Sequence, residues 1–202
     1  MPIFQNTTLT PDKVPAGDST EFVIQLTLGS DYTQDASRLI FDMPGTVGMS
    51  RPTRMHQESD GYVTARVSNP DITYEVGVWD MEIADFTSRE RQSWRGMAAR
   101  IVVLDLGPGL TEGDTIELRW GAATGGYGPG TKVTTVVPRQ DYRCTIHVRY
   151  FKDAEAGLPD FGRSFEGTPR PTPTEVAALE FHVLPPAPHH LRLIGQTDRA
   201  LL

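Results

Sequence analysis

The feature that most constrains the fold is a series of short runs in which apolar and polar residues alternate. The clearest run is Glu21–Leu28, in which the four apolar residues Phe22, Ile24, Leu26 and Leu28 fall at every second position. A period of two places these side chains on one face of a β-strand. Runs of this kind, separated by turns rich in Gly, Pro and Asn, predict about ten short strands and almost no helix.

The other predicted strands follow the same reasoning. Met97–Leu106 is the most apolar run, which predicts an interior strand buried on both faces near its middle. Glu175–Leu184 is compatible with helix or strand, and we favour strand because Leu179, Phe181 and Val183 alternate with polar residues. The remaining predicted strands are Ser37–Met43, Tyr62–Ser68, Ile72–Trp79, Thr115–Trp120, Thr131–Val137 and Tyr142–Phe151.

Two strand pairings are predicted from the turns between runs. Asn69-Pro70-Asp71 separates Tyr62–Ser68 from Ile72–Trp79 and indicates a hairpin. A glycine-rich loop, 121–130, separates Thr115–Trp120 from Thr131–Val137 and indicates a β pair with an irregular loop. That loop resembles the end of a phosphate-binding loop, but a β-branched run follows it instead of a helix, so we favour a hairpin loop.

These elements predict an all-β fold, an immunoglobulin-like antiparallel β-sandwich with long irregular loops. The 202 residues form one predicted domain, 1–202, with an N-terminal arm at 1–13 and a Pro/Gly-rich loop at 152–174. The disulfide and tryptophan spacing of true immunoglobulin domains are absent from the sequence. The strand order therefore stays open at this level.

Charge and cysteine content exclude some classes of partner. The net charge of -7, from 19 Lys+Arg and 26 Asp+Glu, disfavours nucleic acid and anionic membranes. A signal peptide and an apolar run of about 18 residues, the length of a membrane span, are both missing, so we predict a cytoplasmic protein. Cys144, the single cysteine, lies on the apolar face of its predicted strand and is expected to be a small buried hydrophobe instead of a reactive thiol.

Two pairs of residues are candidates for binding. His147 and His182 are predicted on neighbouring strands and can share a face, which would form a metal site if Asp or Glu completed it. The alternative is that both are ordinary surface histidines. Trp94 and Tyr127 fall in charged and glycine-rich loops, where aromatic rings can stack on a sugar or anchor a protein interface.

The order of turn and strand motifs also resembles a known family. Residues 14–17 (VPAG), 110–116 (LTEGDTI) and 130–135 (GTKVTT), followed by an alternating strand, are similar to the N-terminal sandwich of an uncharacterised bacterial family. In that family the sandwich precedes a metal-dependent hydrolase domain of PHP-like type. The resemblance covers roughly residues 14–194 and implies that the metal ligands belong to the downstream domain, so no catalytic residue and no cofactor are assigned to this chain.

Three functions are therefore predicted. The first is a non-catalytic accessory module or subunit, whose partner is a larger hydrolase chain or a missing downstream domain. The second is a carbohydrate-binding module that uses Trp94 and Tyr127. The third is a small stand-alone metal-dependent enzyme with a site at His147 and His182.

Overall fold

The computed structural model describes residues 2–44, 49–80, 100–122, 130–132, 142–153 and 172–185. These ranges contain twelve strands and no helix, which confirms the predicted all-β class. No helix among them is long and apolar enough to cross a membrane. The strands are β1 Phe4–Thr10, β2 Lys13–Pro15, β3 Ser19–Thr20, β4 Phe22–Leu28, β5 Ser37–Met43, β6 Val63–Val67, β7 Tyr74–Asp80, β8 Arg100–Leu106, β9 Thr115–Trp120, β10 Thr131–Lys132, β11 Tyr142–Phe151 and β12 Glu175–Leu184.

The strands form two main sheets. The four-stranded sheet has the order β1-β4-β9-β6, and the six-stranded sheet has the order β2-β12-β11-β5-β8-β7. Every pair is antiparallel except β2 with β12, which is parallel. The first order corresponds to the ABED sheet of the immunoglobulin fold, and β12-β11-β5 corresponds to its GFC sheet, which β8 and β7 extend. The predicted immunoglobulin-like sandwich is confirmed.

The core lies between the two sheets and follows the period of two. On β4 the four alternating apolar residues are fully buried, and on β9 Ile116, Leu118 and Trp120 are also fully buried. Phe22 stacks on Trp120 with ring centroids 5.3 Å apart, and it contacts Phe181 of the opposite sheet at 4.6 Å. Aromatic contacts of this kind tie the sheets together.

Two further predictions about burial are confirmed. Strand β8 is an interior strand buried on both faces, because Val102 and Leu104 enter the main core while Ile101 and Val103 lie on the outer side of the sheet. Cys144 is buried in the main core, and this burial raises the pKa of its thiol to about 11. A thiol with such a pKa is protonated and unreactive near neutral pH.

The predicted hairpin between β6 and β7 is wrong. Strand β6 pairs with β9 in the four-stranded sheet, whereas β7 pairs with β8 in the six-stranded sheet. The turn at 69–71 therefore carries the chain across the sandwich, and both strands still direct valines into the core between the sheets. The hydroxyl of Tyr74 on β7 donates to the carbonyl oxygen of Ala65 on β6 at 3.0 Å, which links the two strands without a ladder.

The predicted pairing of Thr115–Trp120 with Thr131–Val137 is also wrong. Strand β9 already has β4 on one edge and β6 on the other, so neither edge can accept β10. Instead, β10 pairs with β3. Residues 133–137 of the predicted strand lie outside the described residues.

The N-terminal segment contributes strands that the sequence analysis did not identify. Strand β1 pairs antiparallel with β4 and has a bulge between Phe4 and Asn6. Strand β2 follows a cis Thr10-Pro11 bond and pairs in parallel with β12. Residues from the predicted arm thus lie at the edge of both sheets.

Candidate functional site

The outer side of β11 and β12, which points away from the other sheet, carries both histidines and several charged side chains of the six-stranded sheet. The inner residues of the same strands, such as Ile146 and Phe181, are fully buried in the core. Strand alternation therefore fixes the outward residues, which we call the β11–β12 face. They are Arg143, Thr145, His147 and Arg149 on β11 and Val176, Ala178, Glu180 and His182 on β12.

The two predicted metal ligands both lie on this face. His147 is opposite Ala178, whereas His182 is opposite Arg143, so the two histidines are separated by four positions along the strands. At about 3.3 Å per residue this offset is about 13 Å. The prediction that the two histidines share a face on adjacent strands is confirmed, but the register does not place them side by side.

Among the described residues, no three or more His, Cys, Asp or Glu side chains lie together in a group that could hold a metal ion. The two residues directly opposite His182 on the neighbouring strands are cations: Arg143 on β11 and Lys13 on β2. Adjacent positive charges disfavour a divalent cation and favour an anionic group. The metal site at His147 and His182 stays a prediction, and its further ligands would have to come from other parts of the chain.

An ion pair orders the opposite end of the face. Nη2 of Arg149 donates to Oδ1 of Asp42 on β5 at 2.6 Å, and Asp42 lies directly opposite His147. The Nε atom of Arg149 is buried and has no hydrogen-bond partner among the residues that the structure describes. This guanidinium therefore retains donor capacity close to the surface, since its side chain is about one third exposed.

A second ion pair continues this side of the sheet toward β8. Nε and Nη2 of Arg38 donate to the two carboxylate oxygens of Asp105 at 2.5 and 3.1 Å. Between the two ion pairs lies a second apolar cluster, in which each residue is no more than 3% exposed. Its members are Ile40, Ile101, Val103 and Phe151.

The β11–β12 face differs in charge from the chain as a whole. With its flanking residues it holds three cations, Lys13, Arg143 and Arg149, and two carboxylates, Asp42 and Glu180. Three minus two leaves a net charge of +1 before any histidine is protonated, whereas the whole chain carries -7. Both carboxylates are paired with arginines, so the excess amounts to a single cation, Lys13, on an acidic protein.

One end of the face, opposite His147 and Arg149, is apolar and accessible. Val176 is 51% exposed, and Ala178, two positions further along β12, is also exposed. The Arg143–Glu180 pair toward the other end is open to solvent, with an N–O distance of 3.5 Å and side chains 65% and 47% exposed. Exposed apolar residues beside charged ones are the usual composition of a protein interface.

The outer side of the four-stranded sheet is polar by comparison. A representative rung consists of Thr8, Gln25, Glu117 and Arg66 across the four strands. Arg119 on the same side donates to Glu117 at 2.7 Å and to Glu21 at 2.9 Å. Its charges are neutralised within the sheet, so this side offers a less distinctive surface to a partner.

The buried titratable groups elsewhere serve the fold. The hydroxyls of Tyr32 and Ser37 are hydrogen-bonded at 2.5 Å, and burial raises the pKa of Tyr32 above its ordinary value. Burial also raises the pKa of Tyr150, whose hydroxyl accepts from the backbone N–H of Thr33 at 3.3 Å. Both tyrosines stay protonated at neutral pH and close one end of the core.

The sequence analysis did not identify Arg143, Arg149, Val176 or Asp42 as site residues. The alternation that placed His147 and His182 on one face also places three of these four residues there, and this was the available signal. Trp94 and Tyr127 lie outside the described residues. Carbohydrate binding through them stays a prediction.

No protein-family model matches the chain, and no curated protein matches it. The resemblance to the sandwich of a hydrolase-associated family therefore also stays a prediction.

Proposed function

We propose that this chain is a non-catalytic β-sandwich accessory module that binds a larger metal-dependent hydrolase chain through its β11–β12 face. The observation that carries the proposal is the composition of that face. It combines exposed apolar residues at one end with a slight excess of cations, on a chain of net charge -7.

The rigidity of the face suits it to binding. Strand β11 is bonded to β12 over residues 142–150 and to β5 over residues 147–151, and β12 is bonded to β2 over residues 182–184. Side chains on a backbone held in such ladders lose little additional freedom when a partner binds. The cations beside His182, Lys13 and Arg143, select a partner surface that is acidic next to an apolar area, because complementary charge speeds association and rejects basic surfaces.

The predicted family resemblance supports the identity of the partner. In that family the sandwich accompanies a metal-dependent hydrolase domain, and the metal ligands belong to the hydrolase. The proposal accordingly assigns binding to this chain and catalysis to the partner.

The test is native mass spectrometry of the tagged chain purified gently from its own host, with two charge-reversal variants. Arg143→Glu reverses an exposed charge on the β11–β12 face, where Arg143 pairs with Glu180. Arg66→Glu is the matched control, because Arg66 is exposed on the other sheet and lies opposite Glu117. Both variants change the net charge equally and place two glutamates on adjacent strands.

We expect the wild-type chain and Arg66→Glu to retain a larger chain that contains stoichiometric metal. Arg143→Glu should bind that chain about ten-fold more weakly, which corresponds to about 1.4 kcal/mol. Equal retention by both variants would overturn the assignment of the face. A retained chain without metal would overturn the hydrolase partner, and a bare chain that binds a polysaccharide would favour the carbohydrate-binding alternative.

A further inference from the structure

The edges of the two sheets differ in how their backbone groups are satisfied. An unprotected edge strand presents free N–H and C=O groups that can pair with another strand. The end strands of the two sheets are β1, β2, β6 and β7, and beside the short β2 the edge continues along residues 175–181 of β12. Strands β1, β2 and β6 have features that oppose strand addition, whereas β7 is an end strand over its whole length and has none.

Strand β6 is protected by side chains and a neighbouring loop. The backbone N–H of Ser68 donates to Thr115 of β9, and the backbone N–H of Gly121, directly after β9, donates to Tyr62. Even-numbered positions are therefore bonded toward β9, and the odd-numbered residues of β6 direct their backbone groups outward. The outward carbonyl of Val63 accepts from Nη1 of Arg54 at 2.8 Å, and that of Ala65 accepts from Tyr74. The N–H of Val63 donates to Thr53 at 2.8 Å.

The edges at β1 and β2 are interrupted in other ways. Strand β1 has a bulge between Phe4 and Asn6, and β2 is only three residues long and ends in Pro15. Bulges, short length and proline all oppose the addition of a strand.

Strand β7 has none of these features. Its seven residues, Tyr74–Asp80, pair with β8 in a continuous register and include no proline. Gly107 donates to Thr73 at 2.8 Å, which identifies the odd-numbered residues as those bonded to β8. Tyr74, Val76, Val78 and Asp80 thus direct their backbone groups to the outer edge, where the part of the chain that the structure describes provides no hydrogen-bond partner for them.

We infer that the β7 edge pairs with the β7 edge of a second copy of this chain, antiparallel and with the two-fold axis at Gly77. In this register Val76 pairs with Val78 of the second copy, and position 74 pairs with position 80. Four outward residues on each strand then donate and accept one hydrogen bond each, about eight in all. The two six-stranded sheets become one continuous sheet.

Three features of the strand fit this occupant. Gly77, the middle residue of β7, falls at a non-hydrogen-bonded pair, where Cα atoms approach to about 4.5 Å and side chains are most crowded. Val76 and Val78 are only partly buried at the margin of the core, and in the dimer each covers the other. In this register Glu75 of one copy lies four positions from Glu75 of the other, so the two carboxylates are not opposite each other.

The single native cysteine makes a disulfide test specific, because Cys144 is buried. In Gly77→Cys the two introduced thiols lie opposite each other at the two-fold axis, within the Cα separation that a disulfide allows. Glu75→Cys is the control, because position 75 is on the same strand and the same side of the sheet as position 77. Its two thiols, one on each copy, are offset by four residues along the strands, about 13 Å. Neither position changes the β11–β12 face, so the outcome is independent of partner binding.

We expect sedimentation of the full wild-type chain to show a concentration-dependent dimer. Under mild oxidation Gly77→Cys should form a disulfide-linked dimer at least about ten-fold faster than Glu75→Cys, because only the former meets the geometric requirement. A wild-type monomer at all concentrations, with no cross-link in Gly77→Cys, would overturn the inference. Equal cross-linking of both variants would also overturn it, since the register would then be different.

Discussion

Replacing Gly121 with alanine tests how tightly the chain is packed at one end of the sandwich. Gly121 has φ +81°, a left-handed conformation, and follows β9 directly. An added Cβ would lie 2.7 Å from the carbonyl oxygen of Thr20 and would also collide with the backbone nitrogen of Thr131. Both obstacles belong to the β3–β10 pair, and neither is a flexible side chain that can move aside.

The expected loss has two parts. A residue other than glycine costs about 1–2 kcal/mol in the left-handed region. Moving the β3–β10 backbone away from Gly121 disturbs about two hydrogen bonds at about 1 kcal/mol each. Gly121→Ala should therefore lower the free energy of unfolding by about 3–4 kcal/mol, a large share of the 5–15 kcal/mol typical of a domain.

Gly113→Ala is the matched control. Gly113 has φ +87°, but an added Cβ meets no atom within 4 Å, so only the conformational cost of about 1–2 kcal/mol applies. Urea unfolding followed by tryptophan fluorescence gives both values, provided the slope with urea is unchanged. Losses that agree within about 0.5 kcal/mol would refute the reasoning, because the close backbone contact would then contribute nothing.

Two further predictions concern buried groups. Asp105→Asn removes the carboxylate facing the buried Arg38 guanidinium and should lower the free energy of unfolding by about 1–3 kcal/mol. Glu180→Gln, in the exposed pair with Arg143, should lower it by less than about 0.5 kcal/mol. Equal losses in urea unfolding would contradict this reasoning. The pKa of Cys144 is raised from 9.0 to about 11, so its contribution to stability is complete below pH 9 and is lost as pH rises to about 11. Cys144→Ala should therefore flatten the alkaline decline in stability, and the native thiol should resist a thiol reagent at pH 8; labelling at the rate of the unfolded chain would contradict its burial.

The strands themselves could be predicted because their signal is local. The predicted bounds of Ser37–Met43, Thr115–Trp120, Tyr142–Phe151 and Glu175–Leu184 agree with the structure. A strand with one face in the core alternates apolar and polar residues, and a strand buried on both faces is apolar throughout. Either pattern can be recognised within a few residues. Strand β1 was not identified because Phe4–Thr10 is a polar edge strand with little buried surface.

Strand pairing could not be predicted because it depends on distant residues. The turn at 69–71 shows where the chain reverses but does not show that β6 and β7 enter different sheets. The glycines at 121 and 130 likewise mark a loop, whereas the partner of β10 is decided by β4 and β6, which already occupy both edges of β9. Turn residues define local geometry, and the available edge decides the partner.

The same limit applies to the candidate site. Alternation correctly placed His147 and His182 on one face, but the register of β11 with β12 sets them about 13 Å apart. The register also places Lys13 and Arg143 beside His182, which gives that end of the face its positive charge. The position of β7 at the end of the six-stranded sheet is similarly a property of the assembled sheets and has no signature within its seven residues.

The two proposals are compatible because they use opposite parts of one sheet. A two-fold axis through Gly77 would leave both β11–β12 faces on the same side of a continuous sheet. Seven strand spacings of about 4.8 Å separate β11 from its counterpart, about 34 Å measured along the sheet. A partner that presents two acidic surfaces at that distance would be held at both faces, and the second contact would be intramolecular. Joining two modest contacts in this way can raise the overall affinity by about 10²–10⁴ without a new contact. If both proposals hold, a modest contact at each β11–β12 face would therefore be sufficient for stable assembly of the paired module.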